Sequence, residues 1–277
     1  MAALLALLSS LLWGGADFLG GTVSRRLPAL LVVGASQFAG LLAIALVAVA
    51  TGELDAPTGY LPWAVAAGIA GLIGLVAFYS ALAMGTMGVV SPIAALGVVV
   101  PVVVGLARGE RPAALQLAGI VLAVVGVVLA SGPELGGRAG ARPLLLAAVA
   151  AIGFGLALLF IAEGARSSTV MTLVTMRVTS VTIVATLLVA LARRTSVRLS
   201  SRDLPLIAVI GIGDVAANLA FGAASTKGLV SVVAVLGSLY PVVTVLLARV
   251  VHQERLALVQ NVGVVAALGG VTLIAVG

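Results

Sequence analysis

Residues 88–101 read GVVSPIAALGVVVP and residues 228–241 read GLVSVVAVLGSLYP; they align without a gap, keeping Gly, Val, Ser, Ala, Leu, Gly and Pro in place. A duplicated unit dictates the architecture. After a four-residue gap, ERPAALQLAGI from Glu110 aligns on ERLALVQNVGV from Glu254, and Gly126 falls on Gly270. Upstream, Gly71 falls on Gly211, Gln37 on Arg177 and Trp13-Gly14 on Phe154-Gly155. The chain therefore divides into two copies of one unit, residues 1–142 and 143–277.

Composition says where those units sit. Of 277 residues 62% are hydrophobic and 9% charged, with a mean hydropathy of +1.31, whereas ordinary soluble domains carry roughly 25% charged residues. A bilayer core takes about 20 apolar residues to cross. Runs of that length recur at 2–23, 29–50, 61–83, 88–106, 113–131, 143–163, 169–191, 204–226, 228–248 and 256–276. The alternating ten-residue strands of a membrane barrel are absent. The first run has no Lys or Arg before it and continues past Trp13, so it reads as a mature helix rather than a signal peptide. Five spans per unit is an odd number, so the second unit must enter the membrane from the opposite side. The expected fold is an all-α membrane protein of ten transmembrane helices arranged as two inverted five-helix repeats, an architecture that places a substrate site near the midplane between the halves.

Several function classes fall away. There is no Cys, and the one His is His252, in a loop; no disulfide framework and no thiolate or paired-His metal site is available. The net charge of +6 comes from arginines scattered over loops, which set topology rather than form a nucleic-acid face. No ATP-binding motif occurs. Neither a cofactor nor a catalytic activity is expected.

The charges inside the spans point to a site. A charged group at the bilayer centre costs about 2.5–3.5 kcal/mol on insertion scales, so those present face a cavity or a partner. Asp214 lies near the middle of its run and Arg177 near the middle of the run before it, while Asp17 lies about 7 Å from the centre of the first. Asp214, Asn218 and Phe221 share a face at i, i+4, i+7, as do Trp13 and Asp17 at i, i+4. In the first unit their counterparts are Gly74, Phe78 and Ala81, so the polar stripe exists in one half only, which suits an asymmetric ligand. Gln37, Phe78 and Tyr79 complete the expected wall, with Ser91 and Ser231 at equivalent close approaches. Asp214 and Arg177 are alternatively a buried ion pair. Gly14, Gly15, Gly20 and Gly21 beside Asp17 allow close packing or local unwinding. Pro101 and Pro241 predict matching kinks. Removal from water disfavours the charged form of a carboxyl group, the property a proton carrier needs, so Asp17 and Asp214 are both candidates for proton coupling.

LLWGGADF in the first span, GERPAALQLAGI and QERLALVQNVGV opening the fifth and tenth, the Ser-to-Pro stretches of the fourth and ninth and Arg177 in the seventh together resemble the EamA-type transporters of the drug/metabolite transporter superfamily. The resemblance covers nearly the whole chain; Gln37 stands where the second span would carry an Arg like that of the seventh. It implies a secondary transporter in the cytoplasmic membrane, exporting a small metabolite such as an amino acid or related compound, in contact with membrane lipid and with protons as the candidate coupling ion. It also implies cytoplasmic termini. Loop arginines disagree: Arg25, Arg26, Arg138, Arg142, Arg193, Arg194, Arg198, Arg202, Arg249 and Arg255 follow odd-numbered spans, against Arg108, Arg111, Arg166 and Lys227 after even ones. By the positive-inside rule that puts the termini outside; the expectation follows the resemblance.

Two rival readings remain. GIGD at residues 211–214 has the form of intramembrane aspartyl proteases, with Asp17 as the second acid. Such enzymes carry their aspartates on consecutive helices, whereas Asp17 and Asp214 are seven spans apart. A lipid flippase or scramblase would use the same fold with a cavity open sideways.

Overall fold

The computed structural model describes residues 1–85, 87–130, 141–191, 199–253 and 257–276. Arg138, Arg193, Arg194, Arg198, Glu254 and Arg255 lie outside the described residues. Among the described residues every regular element is a helix: α1 (Ala2–Ser24), α2 (Ala29–Thr51), α3 (Leu61–Met84), α4 (Met87–Ala95), α5 (Val99–Ala107), α6 (Ala114–Ala130), α7 (Ala141–Ala165), α8 (Thr169–Leu191), α9 (Leu204–Ser225), α10 (Val230–Gly237), α11 (Tyr240–Val251) and α12 (Leu258–Val276). Among the described residues eight segments are long and apolar enough to cross a membrane, counting Met87–Ala107 and Val230–Val251 as one each.

Those two segments carry the repeated Ser-to-Pro stretch, and in each a tighter turn interrupts the α-helix. A 3-10 turn at Leu96–Val98 separates α4 from α5, and Ser238-Leu239 separates α10 from α11. Pro101 and Pro241 sit in the first turn of the second piece, where the missing N–H has no helical partner to lose. Both prolines follow the tightened turn directly.

α1, by contrast, runs unbroken past all four of its glycines, so the unwinding expected there does not occur. The glycines admit neighbours instead. A Cβ on Gly14 would stand 2.7 Å from the Tyr240 carbonyl oxygen, and one on Gly21 would stand 2.8 Å from Leu82 Cδ1. Small residues serve in the same way between other helices, as membrane packing requires. Gly119 and Gly270 bring α6 and α12 into backbone contact, and Gly74 and Gly153 do the same for α3 and α7.

Most large contacts run between the first 130 residues and those after 141: α3 packs on α7, α1 on α9, α2 on α8 and α9, and α6 on α12. Outward faces are apolar. Leu4, Leu8 and Leu11 on α1, or Ile69 and Ile73 on α3, are exposed at helical spacing, an arrangement suited to lipid and not to water.

Loop contacts define the two ends of the bundle. At the near end, which carries the N-terminus, the Ser168 hydroxyl donates to Glu53 (2.6 Å), the Ser167 hydroxyl donates to the Pro57 carbonyl (2.9 Å), and Arg108 pairs with Glu163. At the far end Arg26 pairs with Asp203 (2.8 Å), and the Thr22 hydroxyl is 3.0 Å from His252 Nε2.

Candidate functional site: a central cavity

A cavity of about 640 Å³, counting its open mouth, lies between helices of both halves. α1 lines it with Trp13 and Asp17, α2 with Gln37, α3 with residues from Gly68 to Leu75, α7 with residues from Phe154 to Ile161, α8 with Met176 and Arg177, and α9 with Asp214 and Asn218; Ser238 and Tyr240 reach it from the break between α10 and α11. The α3 and α8 residues lie in the first two-thirds of helices that begin at the near end, and the α7 residues in the second half of one that finishes there. The lining thus runs from mid-bundle toward the near end. Toward the far end the space is filled: the Tyr79 ring occupies the place a Cβ on Gly20 would take, and Leu82 and Met87 press on Gly21.

Asp214 is the hub of the polar wall. Arg177 Nη2 pairs with its Oδ2 at 2.7 Å. Trp13 Nε1 donates to Oδ1 at 3.0 Å, Asn218 Nδ2 to Oδ1 at 3.1 Å, and Gln37 Nε2 to Oδ2 at 3.4 Å. Arg177 Nη1 donates to Gln37 Oε1, which also accepts from the Ser180 hydroxyl at 3.0 Å. Four helices are tied together, since Trp13, Gln37, Arg177 and Asp214 come from α1, α2, α8 and α9; Tyr240, from a fifth, lines the same cavity. An uncompensated charge here would be costly, whereas a paired and hydrogen-bonded one is tolerated.

Asp17 is built differently. It is 6% exposed and lines the cavity, yet among the described residues its carboxyl group makes no hydrogen bond or ion pair. Tyr79 and Tyr240 lie within electrostatic range of it. The Tyr240 hydroxyl is buried without a hydrogen-bond partner.

The sequence-predicted residues thus divide. Trp13, Asp17, Gln37, Arg177, Asp214 and Asn218 come together on the lining. Phe78, Tyr79 and Phe221 do not line it; they stand behind the wall, fully buried, with Phe78 edge-on to Phe154 (ring centroids 5.4 Å) and Phe221 against Trp13 (5.7 Å). Helical spacing gives the face a residue occupies and not its depth, so an aromatic on the right face can be one layer back. Ser91 and Ser231 are buried, and neither lines the cavity. Sequence reasoning missed Ser180, three residues after Arg177 and so on its face, and Tyr240, an aromatic where the first copy has Val100. Among the described residues no group of His, Asp or Glu is gathered as a metal site.

Known proteins bear on this arrangement. Among curated proteins none matches this sequence. A solved crystal structure, described only as that of a protein, superposes with a TM-score of 0.78 at 21% identity, covering 99% of this chain and 96% of the other; at that identity the likeness is one of fold. The sequence profile of the EamA-like transporter family matches residues 1–132 and again residues 141–276. The chain is a multi-pass membrane protein and belongs to the EamA-like transporter family, a branch of the drug/metabolite transporter superfamily.

Proposed function

We propose that the chain is a secondary transporter of ten spans, in which α6 and α12 are the fifth and tenth and residues 1–142 and 143–277 form two inverted repeats. It exports a small metabolite, such as an amino acid or related compound, across the cytoplasmic membrane by alternating access, with both termini in the cytoplasm. One observation carries the reading: a polar-centred cavity at the seam between the halves is filled on its far side by Tyr79 and extends toward the near end. With the termini cytoplasmic, that is the state that loads from the cytoplasm.

Of the two carboxylates, Asp17 is the proton carrier in this reading. Asp214 already accepts from Arg177, Trp13, Asn218 and Gln37, so it holds the wall together. That saturation also weighs against proteolysis, which needs two aspartates free to exchange protons at one peptide bond. Convergence of polar side chains at the cavity centre favours a soluble metabolite over a lipid as cargo.

Metabolite profiles of medium and cell extract test this directly, comparing cells with wild type, Asp17→Asn or empty vector. A compound enriched in the medium with wild type alone is expected. Equal export by both forms at every pH would remove Asp17 from coupling, and profiles identical to the empty vector would remove export.

A further inference from the structure

The cavity's polar groups differ in what they have left to offer a ligand. Arg177 is 1% exposed; its terminal nitrogens are met by Asp214 and Gln37, while its Nε, buried without a hydrogen-bond partner, lies 3.7 Å from where a Cβ on Gly40 would stand. No free cation faces the cavity among the described residues. The carboxyl group of Asp17 is nine-tenths buried, borders the same space and is unpartnered. With Asp17 deprotonated, formal charges on the lining are +1 for Arg177 and −1 each for Asp214 and Asp17, leaving −1. The other lining groups are neutral, and most are apolar, such as Leu72, Leu158 and Ile161.

We propose that this cavity selects an organic amine with an apolar body, its single ammonium group seated on Asp17, and discriminates against compounds that carry a free carboxylate. The inference rests on the transporter reading and narrows its cargo, from amino-acid-like compounds in general to amines or to amino acids whose carboxyl group is absent or masked. The chemistry follows from the contacts. An ammonium supplies Asp17 with the opposite charge that it lacks. Trp13, four residues earlier on the same helix face, and Tyr240 from the α10–α11 break offer aromatic rings, to which cations are drawn. The Tyr240 hydroxyl gives a neutral dipole beside them. A ligand carboxylate would find Asp17 and Asp214 close by and Arg177 already engaged, so like-charge repulsion opposes it. The charged and titratable groups around Asp17 are Asp214 on α9, Arg177 on α8, Tyr79 on α3 and Tyr240 on α11; only Arg177 is cationic, and it is neutralised.

The test uses three compounds that share a phenyl ring and differ in charge: phenethylamine, phenylalanine and phenylpropionate. Calorimetric titration of the purified full-length protein in detergent reads their affinities. Phenethylamine is expected to bind tighter than either of the others by at least about tenfold, the low side of what one charge–charge contact gives at the effective dielectric of a protein. Asp17→Asn should lose that preference, and Asp17→Glu, which keeps the charge and guards against a folding artefact, should retain it. Equal or tighter binding of phenylalanine or phenylpropionate, absence of amine binding, or an Asp17→Asn protein with the preference intact would each overturn the assignment. Flux into sealed vesicles separates this from the broader reading. If the zwitterion or anion binds better and crosses, the charge class is wrong while transport stands. If the amine binds with the expected preference and nothing crosses, the charge class stands and transport is wrong.

Discussion

Arg177 and Asp214 would each be expensive to leave alone in the middle of a bilayer, and their mutual contact at 2.7 Å is what makes either tolerable. Removing one partner strands the other. Arg177→Met should therefore cost about 3–5 kcal/mol of stability, as breaking a buried pair does. The double variant Arg177→Met/Asp214→Leu should recover much of that loss. Thermal unfolding of the four proteins in detergent gives the coupling term; independent, additive losses would mean that the two charges do not rely on each other. The sequence made this pair legible through depth alone, since charges are rare in apolar runs. It did not separate Asp17 from Asp214, because spacing along a helix says nothing of how many donors arrive from other helices. Only the fold brings Trp13, Gln37 and Arg177 from three separate helices to one carboxylate and leaves the other without a donor among the described residues.

At the level of elements, α10 begins at the near end with no capping side chain of its own. Glu110, from the turn after α5, fills that place: its two carboxylate oxygens accept from the backbone N–H of Val230 (2.9 Å) and Ser231 (3.0 Å). A carboxylate at a helix N-terminus meets unsatisfied donors and a favourable dipole. The turn that delivers it depends on Gly109, whose φ of +90° is open to glycine and strained for other residues. Here an ER motif repeated in the sequence acquires a physical role that the alignment did not reveal. Glu110→Ala should lose about 1–2 kcal/mol, the scale of a strong N-cap, and speed hydrogen exchange at Val230 and Ser231; Glu110→Gln, which keeps one acceptor, should lose less. Unchanged exchange in the Ala variant would mean that the first turn of α10 is held by something else. The broken helices were half legible. Pro101 and Pro241 marked the positions, but a proline in an apolar run reads equally as a kink or as a helix start, and only the turns before them decide.

For the molecule as a whole, the duplicated sequence anticipated that the two halves would meet along a seam, and helix contacts run chiefly across it. Which way the bundle faces is the least legible property, because loop arginines and family resemblance point in opposite directions. Charge pairing blunts the count at both ends: Arg108 and Arg166 share Glu163, while Arg26 is held by Asp203. The central claim is that one cavity opens in turn to each side of the membrane. Ser238 lines that cavity, is 4% exposed and has nearly the volume of a cysteine, in a chain with no cysteine of its own. The most direct measurement is the reaction of a Ser238→Cys protein with a small membrane-impermeant thiol reagent, applied to each face of sealed, oriented vesicles. Alternating access predicts modification from both faces, the near end reacting faster because the cavity extends that way. Modification from one face alone, under every condition, would contradict the account.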